Sequence, residues 1–199
     1  MSKTWKPLLF VGAIFVALFI AFPSVSLHLS PSLPAVEANS GENAVAATPV
    51  MRLSPASQTV YRGSSFTVDV MVDNASKLGG FEFVLSYDPA IFQADTAVLG
   101  EFLGSTGRAA VPVGPNIDST AGRISFAGFS FGSAAGPNGT GKLATVTFVA
   151  TGNGSGSTLS FISGKTTDDQ GVPQTPTFQS GSVTVVTAPY SVYLPVVKR

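Results

Sequence analysis

Apolar and polar side chains alternate with a period of two in SSFTVDVMVDN, where Phe66, Val68, Val70 and Val72 share one phase and Ser65, Thr67, Asp69 and Met71 the other. Successive side chains of a strand point to opposite faces, so this segment predicts a strand with one buried face. Asp73 and Asn74 then end it with turn chemistry. GGFEFVLSYDPAIF, residues 79–92, repeats the arrangement with Phe81, Phe83, Leu85 and Tyr87 in one phase and Glu82, Val84, Ser86 and Asp88 in the other. The Asp88-Pro89 step stops it, because Pro pushes the preceding residue out of the helical region and its own fixed φ starts a new direction. Two neighbouring strands thus compete for the same core.

Shorter units continue the theme. GKLATVTFVATG carries Ala144, Val146, Phe148 and Ala150 in phase, STLSFIS carries Leu159 and Phe161, and GSVTVVT carries Val183 and Val185. In GRISFAGFSF, Ile124 and Phe126 lie in one phase but Phe129 and Phe131 in the other, so a bulge or bend is expected at Gly128 to make use of both pairs. Between the units lie GPNGTG, TGNGSGS and DDQGVPQ, all rich in turn formers. No segment beyond the N-terminal leader has a helical period over ten or more residues, and many short strands at regular spacing predict an all-β sandwich.

The N-terminus departs from this pattern. Lys3 and Lys6 flank a charge-free run from Leu8 to Phe22, closed by Pro23. Fifteen residues fall short of the roughly 20 that span a membrane and suit the apolar region of a secretory signal, so export is expected. An uncleaved anchor through residues 8–22 is the other reading, and small residues at cleavage spacing occur at Val36/Ala38 and Ala44/Ala46. VEANSGENAVAATP, residues 36–49, has no period and reads as a linker. The expected division is a leader over residues 1–38, a linker over 39–49, a sandwich over 50–187 and a tail over 188–199. In that tail, YSVYL between Pro189 and Pro195 is read either as a sorting element or as a final edge strand.

Composition narrows the function. Charged residues are 11% of the chain, against roughly 25% in a typical soluble domain, and eleven bases balance eleven acids. No long-range field steers such a surface to nucleic acid. Cysteine is absent, which excludes disulfides, thiolate metal sites and thiol nucleophiles, so stability must come from an apolar core. The single histidine, His28, lies in or beside the leader, leaving no catalytic triad or His-ligated metal beyond it. A glycosidase needs two carboxylates about 5–10 Å apart, and no pair of acids stands out. We therefore expect no enzyme and no cofactor. Asp168 and Asp169 read as loop acids, because a calcium site needs about six oxygen ligands. Asn74, Asn138 and Asn153 begin glycosylation sequons, a motif frequent by chance in such a composition.

Polysaccharide binding through an aromatic strip lacks its usual platform. The only Trp is Trp5, in the leader; Tyr61 is the best-placed exposed ring, Tyr87 lies in a buried phase, and the Phe residues mostly fall in core phases. A polar loop pocket for glycans stays open as an alternative.

The order GSSFTVDVMVDN, GGFEFVLSYDPAIFQ, GKLATVTFVAT and a closing GSVTVV resembles the cohesin domain of bacterial cell-surface and cellulosome scaffolding proteins, over roughly residues 50–187. The resemblance implies a nine-stranded jelly-roll-like β-sandwich, related in fold to certain cellulose-binding modules. It also implies an exported or cell-surface, noncatalytic module that docks a dockerin on a flat sheet face, in scaffolds for polysaccharide breakdown. Calcium, in that family, is held by the dockerin. Aligning the YDP ends puts Gly80 and Glu82 where the best-known type holds an amide and an acid, so Gly80, Glu82, Val84 and Ser86 become the candidate partner-binding residues. Glu82 keeps an acceptor there, and Gly80 offers none. A solvated strand acid is the alternative reading of Glu82.

Overall fold

The computed structural model describes residues 47–152 and 154–188, so the leader and the YSVYL tail lie outside the described residues. Twelve strands form two layers: β1 (Val50–Ser54), β2 (Ser57–Tyr61), β3 (Ser65–Ala75), β4 (Leu78–Ser86), β5 (Phe92–Leu99), β6 (Ala109–Asp118), β7 (Arg123–Phe131), β8 (Gly139–Ala150), β9 (Gly154–Asp168), β10 (Pro173–Gln174), β11 (Thr177–Gln179) and β12 (Gly181–Val186). One sheet has the order β11-β1-β3-β8-β5; the other has β2-β12-β9-β4-β7-β6, with β10 paired to β9. The only helical turn among the described residues is a 3-10 turn at Phe102–Gly104.

The expected all-β sandwich is present, with twelve strands rather than nine. Strands β10 and β11 are two and three residues long, too short to show any alternation. Strand β6, AAVPVGPNID, carries two prolines and was not among the alternating segments. It forms because it lies at the edge of its sheet, where a proline's missing N–H removes no ladder bond that the sheet requires.

The alternating phases set the core. Strand β3 pairs with β8 so that Phe66 faces Phe148, Val68 faces Val146 and Val70 faces Ala144, all of them buried. Phe148 stacks on Phe66 at 5.5 Å and meets the edge of Tyr87 at 5.5 Å. From the opposite sheet, Phe83 packs between Phe81, Phe126 and Phe161, with ring centroids 6.1–6.3 Å away. Fully burying one such ring stabilises the fold by about 1.5–3 kcal/mol, which is how a chain without disulfides holds together. Asp88 closes β4 as its sequence suggested: its Oδ1 accepts the Ala90 N–H at 2.9 Å.

The bulge expected at Gly128 does not form. Residues 123–129 of β7 pair with β4 in unbroken register, Phe81 opposite Gly128 and Gly80 opposite Phe129. The reason is local. A Cβ at Gly128 would lie 2.7 Å from Leu99 Cδ1 and 2.9 Å from Phe81 Cε1, so those side chains fill the inward position themselves. With Gly128 inward and the strand straight, Phe129 and Phe131 point to solvent, 46% and 57% exposed. The irregularity sits one strand over, in β6, where the register shifts between Val113 and Asn116. Gly114, at φ 97°, supplies the left-handed backbone that this bulge needs.

Two measurements check this account. Gly128→Val should destabilise the protein by about 1–3 kcal/mol in urea denaturation, since Phe81 and Leu99 must move; an unchanged midpoint would contradict the packing. Asp73 on β3 accepts from Arg52 Nε on β1 at 2.7 Å. That bond, helped by the Thr140 side chain, outweighs desolvation and holds the Asp73 carboxyl below its ordinary range. A carboxylate with a lowered folded pKa adds stability above its unfolded pKa and loses it as pH falls through the folded one. The stability gap between the native chain and Asp73→Asn should therefore narrow as pH drops below about 4. A gap independent of pH would contradict it.

Candidate functional site

Strands β9, β4, β7 and β6 lie side by side, so their outward residues form a lattice fixed by register. Along one row stand Val113, Ala127, Glu82 and Lys165; beside it stand Val111, Phe129, Gly80 and Thr167; on the other side stand Asn116, Ser125, Val84 and Ser163. Phe131 extends the face beyond Phe129, with Ala109 opposite it on β6. All four sequence-nominated residues, Gly80, Glu82, Val84 and Ser86, thus lie on one strand of this face. They differ in what they present. Glu82 is exposed, Val84 and Ser86 are half-buried, and Gly80 is buried between Thr167 and Phe129. Ser86 Oγ donates to the Ser160 carbonyl at 3.3 Å.

Glu82 faces Lys165 Nζ at 3.5 Å, with both side chains more than half exposed. A pair so open to water contributes little to stability, but it neutralises the centre of the face. The β6 side is apolar. Val113 is 53% exposed, and the Phe129 and Phe131 rings lie 6.4 Å apart at 34°. Two shallow depressions flank the Glu82 row. One, of about 350 Å³, is bounded by Gly80, Val113, Ala127, Phe129 and Lys165. The other, of about 290 Å³, is bounded by Glu82, Val84, Asn116, Ser125 and Ser163.

The sequence points to none of Phe129, Phe131 and Val113: the bulge expected at Gly128 turns the two rings inward, and Val113 lies in the proline-interrupted β6, which shows no alternation. The residue that holds them outward is Arg108, buried to 8% exposure just before β6. Its Nε donates to Ser130 Oγ at 3.0 Å, its Nη2 to the Ser130 carbonyl at 2.9 Å, and its Nη1 to the carbonyls of Gly132 and Ala134 at 2.9 and 2.6 Å. A buried charge is tolerated only when its donors are satisfied, and here neutral oxygens satisfy them. The network keeps Ser130 inward and hence its neighbours Phe129 and Phe131 outward.

The other candidates fall elsewhere. Tyr61 is exposed, as expected, but lies on the edge strand β2, separated from Phe129 by β12, β9 and β4. Asp168 Oδ1 accepts the N–H groups of Gln170 and Val172, and Asp169 Oδ2 accepts that of Gly136, which makes them loop clamps. Asn138 Oδ1 accepts the Lys77 N–H, Asn74 sits at φ 57°, and Asn153 lies outside the described residues. Among the described residues no three His, Cys, Asp or Glu side chains cluster as metal ligands.

A two-layer, all-β sandwich with a broad, part-apolar outer face defines the class as a β-sandwich module. The cohesin domain family model matches residues 51–185, and the chain belongs to that family. Solved structures similar to it include a non-cellulosomal cohesin from the archaeon Archaeoglobus fulgidus, 19% identical, with a TM-score of 0.55 over 71% of this chain and 93% of that one. A type I cohesin–dockerin complex from Clostridium thermocellum matches at 17% identity and TM-score 0.55, over 70% of this chain and all of that one. The cohesin module of a family 33 glycoside hydrolase from Clostridium perfringens matches at 12% identity and TM-score 0.57, over 71% and 100%. No curated protein sequence matches the chain.

Replacing Arg108 removes the donors to the buried Ser130 hydroxyl and carbonyl, while the carbonyls of Gly132 and Ala134, on exposed residues, can turn to water. Arg108→Met should lower stability by about 1–3 kcal/mol in chemical denaturation. A loss below about 0.5 kcal/mol would mean that the network does not hold this end of β7.

Proposed function

We propose that this chain is an exported, noncatalytic binding module that docks a dockerin-like protein on the outer face of β9-β4-β7-β6. Family membership supports the partner class, and the charge-free run Leu8–Phe22 supports export. The observation that carries the choice of face is the exposed Phe129–Phe131 pair beside the Glu82–Lys165 row. Exposed aromatic rings that a partner can cover are a usual source of interface energy, while charges open to water give orientation more than affinity. Gly80, Glu82, Val84 and Ser86 of β4 form the middle of the proposed contact, with Phe129 and Phe131 of β7 beside them. Calcium belongs on the partner, whose helix-loop-helix loops it would order.

The test is capture by the immobilised full chain from the secretome of its own cells, with mass spectrometry of what is retained. Retention of a protein bearing paired calcium loops, abolished by chelator and reduced at least tenfold by joint Phe129→Ser and Phe131→Ser replacement, is the expected result. A bait that returns nothing with or without calcium would remove the docking mechanism.

One observation favours a second reading. The exposed ring pair could stack on sugar rings, as aromatic faces do. That reading expects the purified chain to co-sediment with insoluble polysaccharide in the absence of any protein partner.

A further inference from the structure

Gly80, which offers a docking partner no side chain, is also what opens the larger of the two depressions. A Cβ there would stand 3.0 Å from Thr167 Oγ1 and 3.6 Å from Phe129 Cβ, so any side chain would fill the floor between them. With glycine in place the floor is Gly80 and Ala127, and Val113 and Phe129 form the apolar side toward β6. The side toward β9 is polar: it carries the Thr167 hydroxyl, the Glu82 carboxylate and the Lys165 ammonium, the last two 3.5 Å apart. A volume of about 350 Å³ lies at the lower end of the roughly 300–1,000 Å³ of small-ligand sites, which likewise set a few polar groups against apolar walls.

We infer that this depression is a subsite for a neutral pyranose sugar. Such a ring has C–H faces that pack on an aromatic wall, and an edge of hydroxyls that both donate and accept. The C–H side lies against Phe129 and Val113 over the bare floor, while neighbouring hydroxyls donate to Glu82, accept from Lys165 and pair with Thr167. An aliphatic ligand would leave the polar side unused, and an anionic one would meet Glu82 as well as Lys165. The adjoining depression shares Glu82, Val113 and Ala127, adds the Asn116 amide and the Ser125 and Ser163 hydroxyls, and takes the next sugar of a chain. This inference rests on the sugar-binding reading and deepens it: the ligand sits in the depression rather than on the ring pair, and Phe131, which lines neither depression, plays no part.

The experiment is saturation-transfer NMR on the purified full chain, with methyl glycosides of glucose, galactose, mannose and N-acetylglucosamine and their β-1,4-linked disaccharides as probes. At least one sugar should bind with a Kd of about 1–10 mM, and its disaccharide several-fold more tightly. Because Lys165 already balances Glu82, the affinity should change less than about threefold between about 0.05 and 0.5 M salt. Ala127→Leu, which fills the depression, should weaken binding at least tenfold and Thr167→Val about fivefold, while Phe131→Ser should change it less than about twofold. Circular dichroism would verify that all three variants stay folded. Binding that Phe131→Ser abolishes and Ala127→Leu leaves intact would overturn the subsite and leave stacking on the ring pair standing. Absence of transfer to every sugar would also overturn the subsite; if the chain then fails to co-sediment with insoluble polysaccharide, the sugar-binding reading falls with it.

Discussion

The outer face depends on one contact inside the sandwich, the covering of Gly128 by Phe81. The ring lies where a Cβ would stand, directly across the β4–β7 pair, and Leu99 closes the space from the other sheet. A glycine in a strand interior usually weakens it or marks a bulge. Here an aromatic side chain on the neighbouring strand takes over the packing, and the strand runs on without a kink. Every outward residue beyond that point inherits its direction from this contact.

Arg108 secures the same choice from the far end of β7. If the strand had bulged, Ser130 would face water and Phe129 would face the core; the apolar bookkeeping would improve by two rings. The guanidinium would then lose the Ser130 hydroxyl and carbonyl that hold it inside the protein. Unsatisfied donors on a buried charge cost several kcal/mol, comparable to what the two rings would gain by burial. The protein thus keeps two aromatic rings about half exposed on its outer face, an apolar patch that the fold itself does not cover.

Strands β3, β4 and β8 were legible because each buries one face, and a period of two then appears directly in the residues. Their core residues, Phe66, Phe83, Phe148 and their neighbours, sit as the alternation implies. The leading β4 candidates were also placed on a common outward face, since phase alone decides that. The face as a whole was not legible. Phe126, Phe129 and Phe131 have spacings that fit either a bulge or a straight strand, and the deciding contacts come from Phe81 and Arg108, 47 and 20 residues before Gly128 in the chain. Strand β6 was hidden for a different reason. Its prolines break the alternation that marks a strand, and only its position at the sheet edge makes them compatible with one.

The outer face stands or falls with the direction of residues 129–131, and the absence of native cysteine makes that direction measurable. Phe129→Cys and Ser130→Cys, introduced separately, place one thiol on each face of β7. With a thiol reagent under native conditions, the thiol at 129 should react within about tenfold of its unfolded rate and the thiol at 130 should be protected at least a hundredfold. Protection at 129 with rapid labelling at 130 would mean that the strand bulges at Gly128, and the proposed face would not exist.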